Sequence, residues 1–207
     1  MKVNEEKIIH RLALYMFLQK FYAGHLNQLD LSNWKELFIH LNKDVHYFTS
    51  SEMLKAMESF AKLKEEDLED LLYDFNRLFV GPNKLEASPF ESSYRSEERA
   101  VLQFYTLAVR RSYERAGLVL VKKNNEPDDH LAYELEFICY LLENGLDDET
   151  YLKMHEAFLN NHLFEWIPAH SELIRKHTTN PIIIGISYLL DGLLDVEKND
   201  GLLKEGK

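Results

Sequence analysis

The sequence predicts an all-α protein, a single helical bundle of about nine helices. Three observations carry that reading. Apolar residues recur at spacings of three and four along most of the chain. Start signals of the capping type precede many of these stretches, and Gly or Gly-Pro follows several. The strand-like run Leu118-Val119-Leu120-Val121 has no second run nearby to pair with, so it reads as an extended connector.

Taken in order, residues 5–22 are apolar around most of a helix, which predicts a central one, with Gly24 as its stop. Residues 33–42 predict a second helix capped by Ser32, with Trp34, Leu37, Phe38 and Leu41 inward. Thr49-Ser50-Ser51-Glu52 has capping-box spacing and opens a third through Met53, Met57 and Phe60. The acidic run Glu65-Glu66-Asp67 starts a fourth, carrying Leu68, Leu71, Leu72, Phe75, Leu78 and Phe79 to a stop at Gly81-Pro82. Asn83 to Arg95, with Pro89 inside it, has no clear period, and segments of that kind are disproportionately functional.

Residues 96–116 predict the next helix, with Val101, Leu102, Tyr105, Ala108 and Val109 as its stripe and Gly117 as its stop. Pro127 suits a first helical position, with Glu126 as a weak cap and Asp128 and Asp129 in the first turn. Leu131, Leu135, Ile138 and Leu142 continue that helix to Asn144-Gly145. Asp147-Asp148 caps a helix ending near 163–166, Pro168 begins another, and Asn180-Pro181 begins the last, Ile182 to Val196. Residues 197–207 read as a frayed tail. The whole of 1–207 reads as one domain, and 83–95 and 118–127 are where two lobes would join.

The net charge of −11 argues against nucleic acid as the partner, because phosphate binding needs clustered Lys and Arg. It suits a basic partner. The single cysteine, Cys139, sits mid-helix and reads as a small core residue. No signal-peptide layout opens the chain, and the longest apolar run, 182–190, is too short to span a bilayer. A reduced, cytoplasmic setting is expected.

No phosphate loop, dinucleotide fingerprint or nucleophile elbow is present. The competing chemistry is metal: His130 and Glu134 share one helical face, His155 and His162 another, with Glu165 and His170 nearby in sequence. The repeated Glu-x-x-His pairs of metal-binding bundles are missing, so no metal is expected and that enzyme reading stands second. Three stretches stand out instead: Tyr73 to Pro82, Ser88 to Tyr94, and Glu126 to Phe137. They place aromatics and carboxylates beside an irregular loop, a setting for an apolar helix with an Arg-bearing end.

In this order and spacing the stretches resemble the TorD/DmsD-type chaperones of redox-enzyme maturation. Tyr73-x-x-x-x-Leu78-Phe79-x-Gly81-Pro82 is similar to that family's helix-end motif, and Pro89-Phe90-Glu91-Ser92 to its Pro-Pro-aromatic-Glu-Ser loop. Glu126-Pro127-Asp128-Asp129-His130 is similar to its Glu-Pro-x-Asp-His hinge, and His162-Leu163-Phe164-Glu165-Trp166 to its His-Leu-x-x-Trp segment. Ser88 stands where the family often has a first Pro, and Phe90 where it often has Trp or Tyr. The resemblance implies a non-enzymatic cytoplasmic chaperone. It would bind the twin-arginine signal peptide of an exported molybdoenzyme precursor, hold it for cofactor insertion and prevent early export.

By matched position the resemblance implies a peptide site with Asp129 and His130 as polar centre and Glu126 and Pro127 at the turn. Phe90, Glu91 and Tyr94 would be its loop wall, and Leu78 and Phe79 its apolar floor. Asp129→Ala or His130→Ala is then expected to weaken binding and leave thermal stability nearly intact. Guanine nucleotide binding and helix exchange between protomers have been suggested for some members. Nothing in this sequence supports the nucleotide; the chain is expected to be a monomer or a helix-swapped dimer without a cofactor.

Overall fold

Side-chain caps set where several of the helices begin. The protein is described by a computed structural model over residues 5–48, 50–95, 104–119 and 127–203. These residues form helices, turns and one isolated β-bridge, between Phe90 and His130. The fold class is therefore all-α, as the periodicity predicts. Thr49, residues 96–103 with Val101 and Leu102, Leu120 and Val121, Glu126 and the last four residues lie outside the described set.

The helices in chain order are α1 (Glu5–Tyr22), α2 (Leu31–Tyr47), α3 (Ser51–Phe60), α4 (Glu66–Phe75), α5 (Ser92–Arg95), α6 (Phe104–Arg115), α7 (Leu131–Asn144), α8 (Glu149–Phe158), α9 (Phe164–His177) and α10 (Pro181–Asn199). A π turn, Asn76–Val80, continues α4, and another, Leu159–Leu163, joins α8 to α9. Ser50, Asp148 and Asn180 cap α3, α8 and α10 through their side chains. Gly81 ends the first π turn at φ 105°, a conformation open to Gly without strain.

The chain packs as two units. The first comprises Met1–Tyr22, Pro89–Trp166 and Gly201–Lys207; the second comprises Ala23–Ser88 and Ile167–Asp200. One passage, Ser88 to Pro89, falls in the loop where the sequence suggests a junction. The other passages fall at 22/23, 166/167 and 200/201.

In the first unit α1 lies along α7, and α7 buries Leu131, Leu135, Ile138 and Leu142. Tyr113, Phe137 and Phe158 pack edge and tilt beside them, with centroids 4.8 and 4.9 Å from Phe137. Each such pair adds about 0.5–1.5 kcal/mol beyond area burial. Ile9 and Met16 of α1 face solvent while Arg11 is buried, so α1 is open on one side despite its composition.

In the second unit α10 packs on α3 at close range because two glycines remove side chains from the contact. A Cβ on Gly185 would lie 2.2 Å from the Phe60 ring, and one on Gly192 2.6 Å from Met53. Ser59 Oγ donates to the Pro181 carbonyl at 2.9 Å, and Asn180 Nδ2 to the Asp67 carbonyl at 2.7 Å, tying both helix ends to α10.

Three local expectations are corrected. Asp30, not Ser32, caps α2, accepting from Asn33 N–H at 2.8 Å. α7 begins at Leu131 with His130 as its cap; Pro127 to Asp129 form a turn, because the Asp side chains are recruited inward. Pro168 starts no helix but lies inside α9. It follows the π turn closely, where the bonding register has already changed, so one further missing N–H is tolerated.

Candidate functional site

Two sequence stretches of the first unit, Pro89 to Glu91 and Asp129 to Leu131, meet backbone to backbone. Leu131 N–H donates to the Pro89 carbonyl at 2.8 Å, and Glu91 N–H donates to the Asp129 carbonyl at 3.1 Å. Phe90 and His130 form the bridge between these bonds. Their rings lie edge to face at 5.0 Å, and Tyr133 approaches His130 at 5.8 Å. Phe90, His130, Tyr94, Tyr133 and Pro127 are all half-buried. His130 Nδ1 accepts from Ala132 N–H at 3.1 Å, which fixes the ring over the start of α7.

The carboxylates beneath are spent inward. Asp129 is fully buried; its Oδ2 accepts from Ser92 N–H at 2.9 Å and its Oδ1 from the Thr106 hydroxyl at 2.8 Å. Asp128 meets the Arg110 guanidinium at 2.7 Å (Nε) and 2.5 Å (Nη2), and its carbonyl accepts from Tyr113 at 2.9 Å. Glu91, also fully buried, pairs with Arg95 and meets His162 Nδ1 at 2.8 Å. Arg95 donates to the Asn161 carbonyl at 2.6 Å and lies 4.5 Å over the Tyr105 ring. Ionised pairs of this kind carry the stronger hydrogen bonds, and removing one partner strands the other.

The second π turn has a part here. It brings His162 to Glu91 and frees the Asn161 carbonyl for Arg95, while Asn160 and Asn161 side chains donate to carbonyls one turn back at 2.9 and 2.7 Å. π turns of this sort are frequent at functional sites. Just beyond it Trp166 tilts against Tyr94 at 5.3 Å and donates its indole N–H to Glu134 Oε2 at 3.2 Å.

Glu134 is the electrostatic centre. It is fully buried, and its Oε1 has no hydrogen-bond donor. Burial raises its pKa well above the usual carboxylate value, and the charges of Glu91 and Asp129 push the same way against the Trp166 hydrogen bond. The phenol of Tyr113 is also raised, by burial and then by Glu134, Asp128, Asp129 and Glu91.

The structure thus brings together Pro127, Asp129, His130, Phe90, Glu91 and Tyr94 in one unit. It corrects how two of them are read: Asp129 and Glu91 hold the site from inside and present no surface. Leu78 and Phe79, expected as the apolar floor, are themselves buried side chains. They are 0% and 4% exposed in the second unit, where Phe79 packs on Phe75 and His170 at 5.3 and 5.8 Å. Glu126 lies outside the described residues. Arg95, Thr106, Arg110 and Tyr113 are missed by sequence reasoning; only Trp166 carried a signal, in the His-Leu-x-x-Trp segment.

The alternative ligand set is not assembled. Glu134 takes Trp166, His162 takes Glu91, His130 takes the Ala132 amide and His155 lies edge-on to Tyr15 at 6.5 Å. Among the described residues no group of three His, Cys, Asp or Glu is placed to hold a metal ion.

The nitrate reductase delta subunit family matches residues 49–172. Among known proteins, the Tat proofreading chaperone DmsD of Salmonella typhi is 30% identical over 129 residues, covering 62% of this chain and 61% of that protein. The chaperone protein TorD of Vibrio cholerae is 25% identical over 190 residues, covering 83% and 81%. That of Aliivibrio salmonicida is 22% identical over 198 residues, covering 90% and 92%. No described helix is long and apolar enough to cross a membrane.

Proposed function

Because this chain belongs to the nitrate reductase delta subunit family, with TorD and DmsD chaperones among its relatives, we propose that it is a maturation chaperone for an exported molybdoenzyme catalytic subunit. In this reading it binds the twin-arginine signal peptide of the precursor, holds the precursor until the cofactor is in place, and catalyses nothing itself. The observation that carries the proposal is the Phe90–His130 platform. Two backbone bonds and a buried carboxylate set fix two loops so that an aromatic ring and an imidazole stand side by side, half open.

The division of labour follows from burial. His130, Phe90, Tyr94, Tyr133 and Pro127 are the surface on which a peptide would lie. Asp129, Glu91 and Glu134 hold that surface in place. Apolar contact on the rings contributes at about 25 cal/mol per Å² buried. A rigid platform costs little ordering on binding, which is what preorganisation gains.

The test is the affinity of a labelled twin-arginine signal peptide for the intact protein and for Phe90→Ala and His130→Ala. Both variants are expected to weaken binding about tenfold or more; Phe90→Ala should change the melting temperature little, whereas His130→Ala also removes the α7 cap and should cost about 1 kcal/mol of stability. Unchanged affinity in both variants refutes the assignment.

A further inference from the structure

With Asp129 and Glu91 turned inward, the carboxylates free to meet a basic peptide lie elsewhere, and the second unit offers a set. Leu72, Tyr73 and Val80, on α4 and its π turn, are 47%, 67% and 62% exposed. Helical spacing places Glu66, Glu69, Asp70 and Tyr73 on one side of α4, with Leu72 flanking. That outward side is acidic at its N-terminal end and apolar towards Val80. Of its carboxylates, Glu66 meets Lys64 at 3.2 Å, whereas Glu65, Glu69 and Asp70 meet no cation among the described residues. Arg77, further along, is committed to Asp74 at 2.9 Å and to the His177 carbonyl at 2.5 Å, so it does not neutralise them.

The chemistry of this face selects its occupant. A wholly apolar partner would bury the carboxylates at its edge without compensation, which is costly. A second copy of the chain brings a net charge of −11 and is repelled. A segment with Arg or Lys at one end and an apolar run after it satisfies both halves.

We propose that the outward face of α4 docks such a segment, its basic end over Glu69 and Asp70 and its apolar run over Tyr73, Leu72 and Val80. This rests on the chaperone reading: the segment is the precursor's export signal. The Arg–carboxylate contacts steer and orient the segment, and they weaken with salt because they lie at the surface.

The experiment uses the intact protein and a fluorescent synthetic peptide carrying an arginine pair followed by a Leu/Ala run, with binding read by anisotropy at low and high salt. Glu69→Lys with Asp70→Lys is expected to weaken low-salt binding about tenfold and to flatten the salt dependence. Tyr73→Ser is expected to weaken it at both salt concentrations. Glu172→Lys with Asp195→Lys, the same charge change at exposed sites on α9 and α10, is expected to shift affinity by no more than about twofold. If the α4 reversal behaves like this control while Phe90→Ala still loses the peptide, the α4 proposal is overturned and the chaperone reading stands. If the unaltered protein binds no such peptide, both fall.

Discussion

Replacing Glu134 by Gln isolates the ionisation of one buried carboxyl. Glu134 is fully enclosed, with Trp166 on one oxygen and no donor on the other, and its pKa is raised by burial and then by Glu91 and Asp129. In the unfolded chain it titrates near its ordinary value of 4.5. The contribution of a group with a raised folded pKa is fully present below the unfolded value and is lost as pH rises towards the folded one. Over that window folding takes up a proton, so stability falls by about 1.4 kcal/mol per pH unit. The loss assigned to Glu134 therefore accumulates as pH rises above about 4.5. Gln keeps the shape and accepts from the Trp166 indole without a charge to bury. Urea unfolding of both proteins at pH 5, 6 and 7, followed by tryptophan fluorescence, gives the difference directly. Glu134→Gln should gain on the unaltered protein as pH rises and be the more stable at pH 7. A difference that stays constant from pH 5 to pH 7 refutes the reasoning, because Glu134 would then be ionised in the fold.

Other substitutions follow from the same contacts. Asp129→Ala leaves the Ser92 amide and the Thr106 hydroxyl without their acceptor in a buried site, and should cost about 3 kcal/mol, read as a fall in melting temperature. That outcome replaces the sequence-based expectation of an intact melting temperature for this variant. Gly185→Ala drives a methyl into the Phe60 ring and should cost about 1–3 kcal/mol in the same assay. Cys139 is buried and its thiol is pushed up to about 12 by burial, so a disulfide reagent should label the native protein at neutral pH far more slowly than the urea-unfolded chain.

Much of the fold is legible in the sequence because its signals are local. The α7 stripe of Leu131, Leu135, Ile138 and Leu142 needs only helical periodicity, and Asn180-Pro181 needs only capping chemistry. The errors arise where distant residues decide. Pro127-Asp128-Asp129 has the composition of a helix start, but Ser92, Thr106 and Arg110 draw the two Asp side chains inward and the helix waits for His130. The π turn before α9 is invisible to a search with a period near four, so Pro168 is mistaken for a beginning. The candidate site is legible as a set of residues and not as a set of roles. Sequence order marks Phe90, Glu91, Asp129 and His130, but burial alone distinguishes the two that face outward from the two that hold them. Glu134 shows the same limit: its spacing from His130 suggests a ligand pair, whereas the fold encloses it against Trp166.

The central claim, that this chain recognises a precursor through its export signal, is tested most directly by one comparison. A molybdoenzyme precursor is titrated onto the intact protein with its twin-arginine segment present and with that segment deleted. The full precursor should bind, and the deletion should lower affinity by about a hundredfold or abolish binding. Equal affinity for the two forms would contradict the claim.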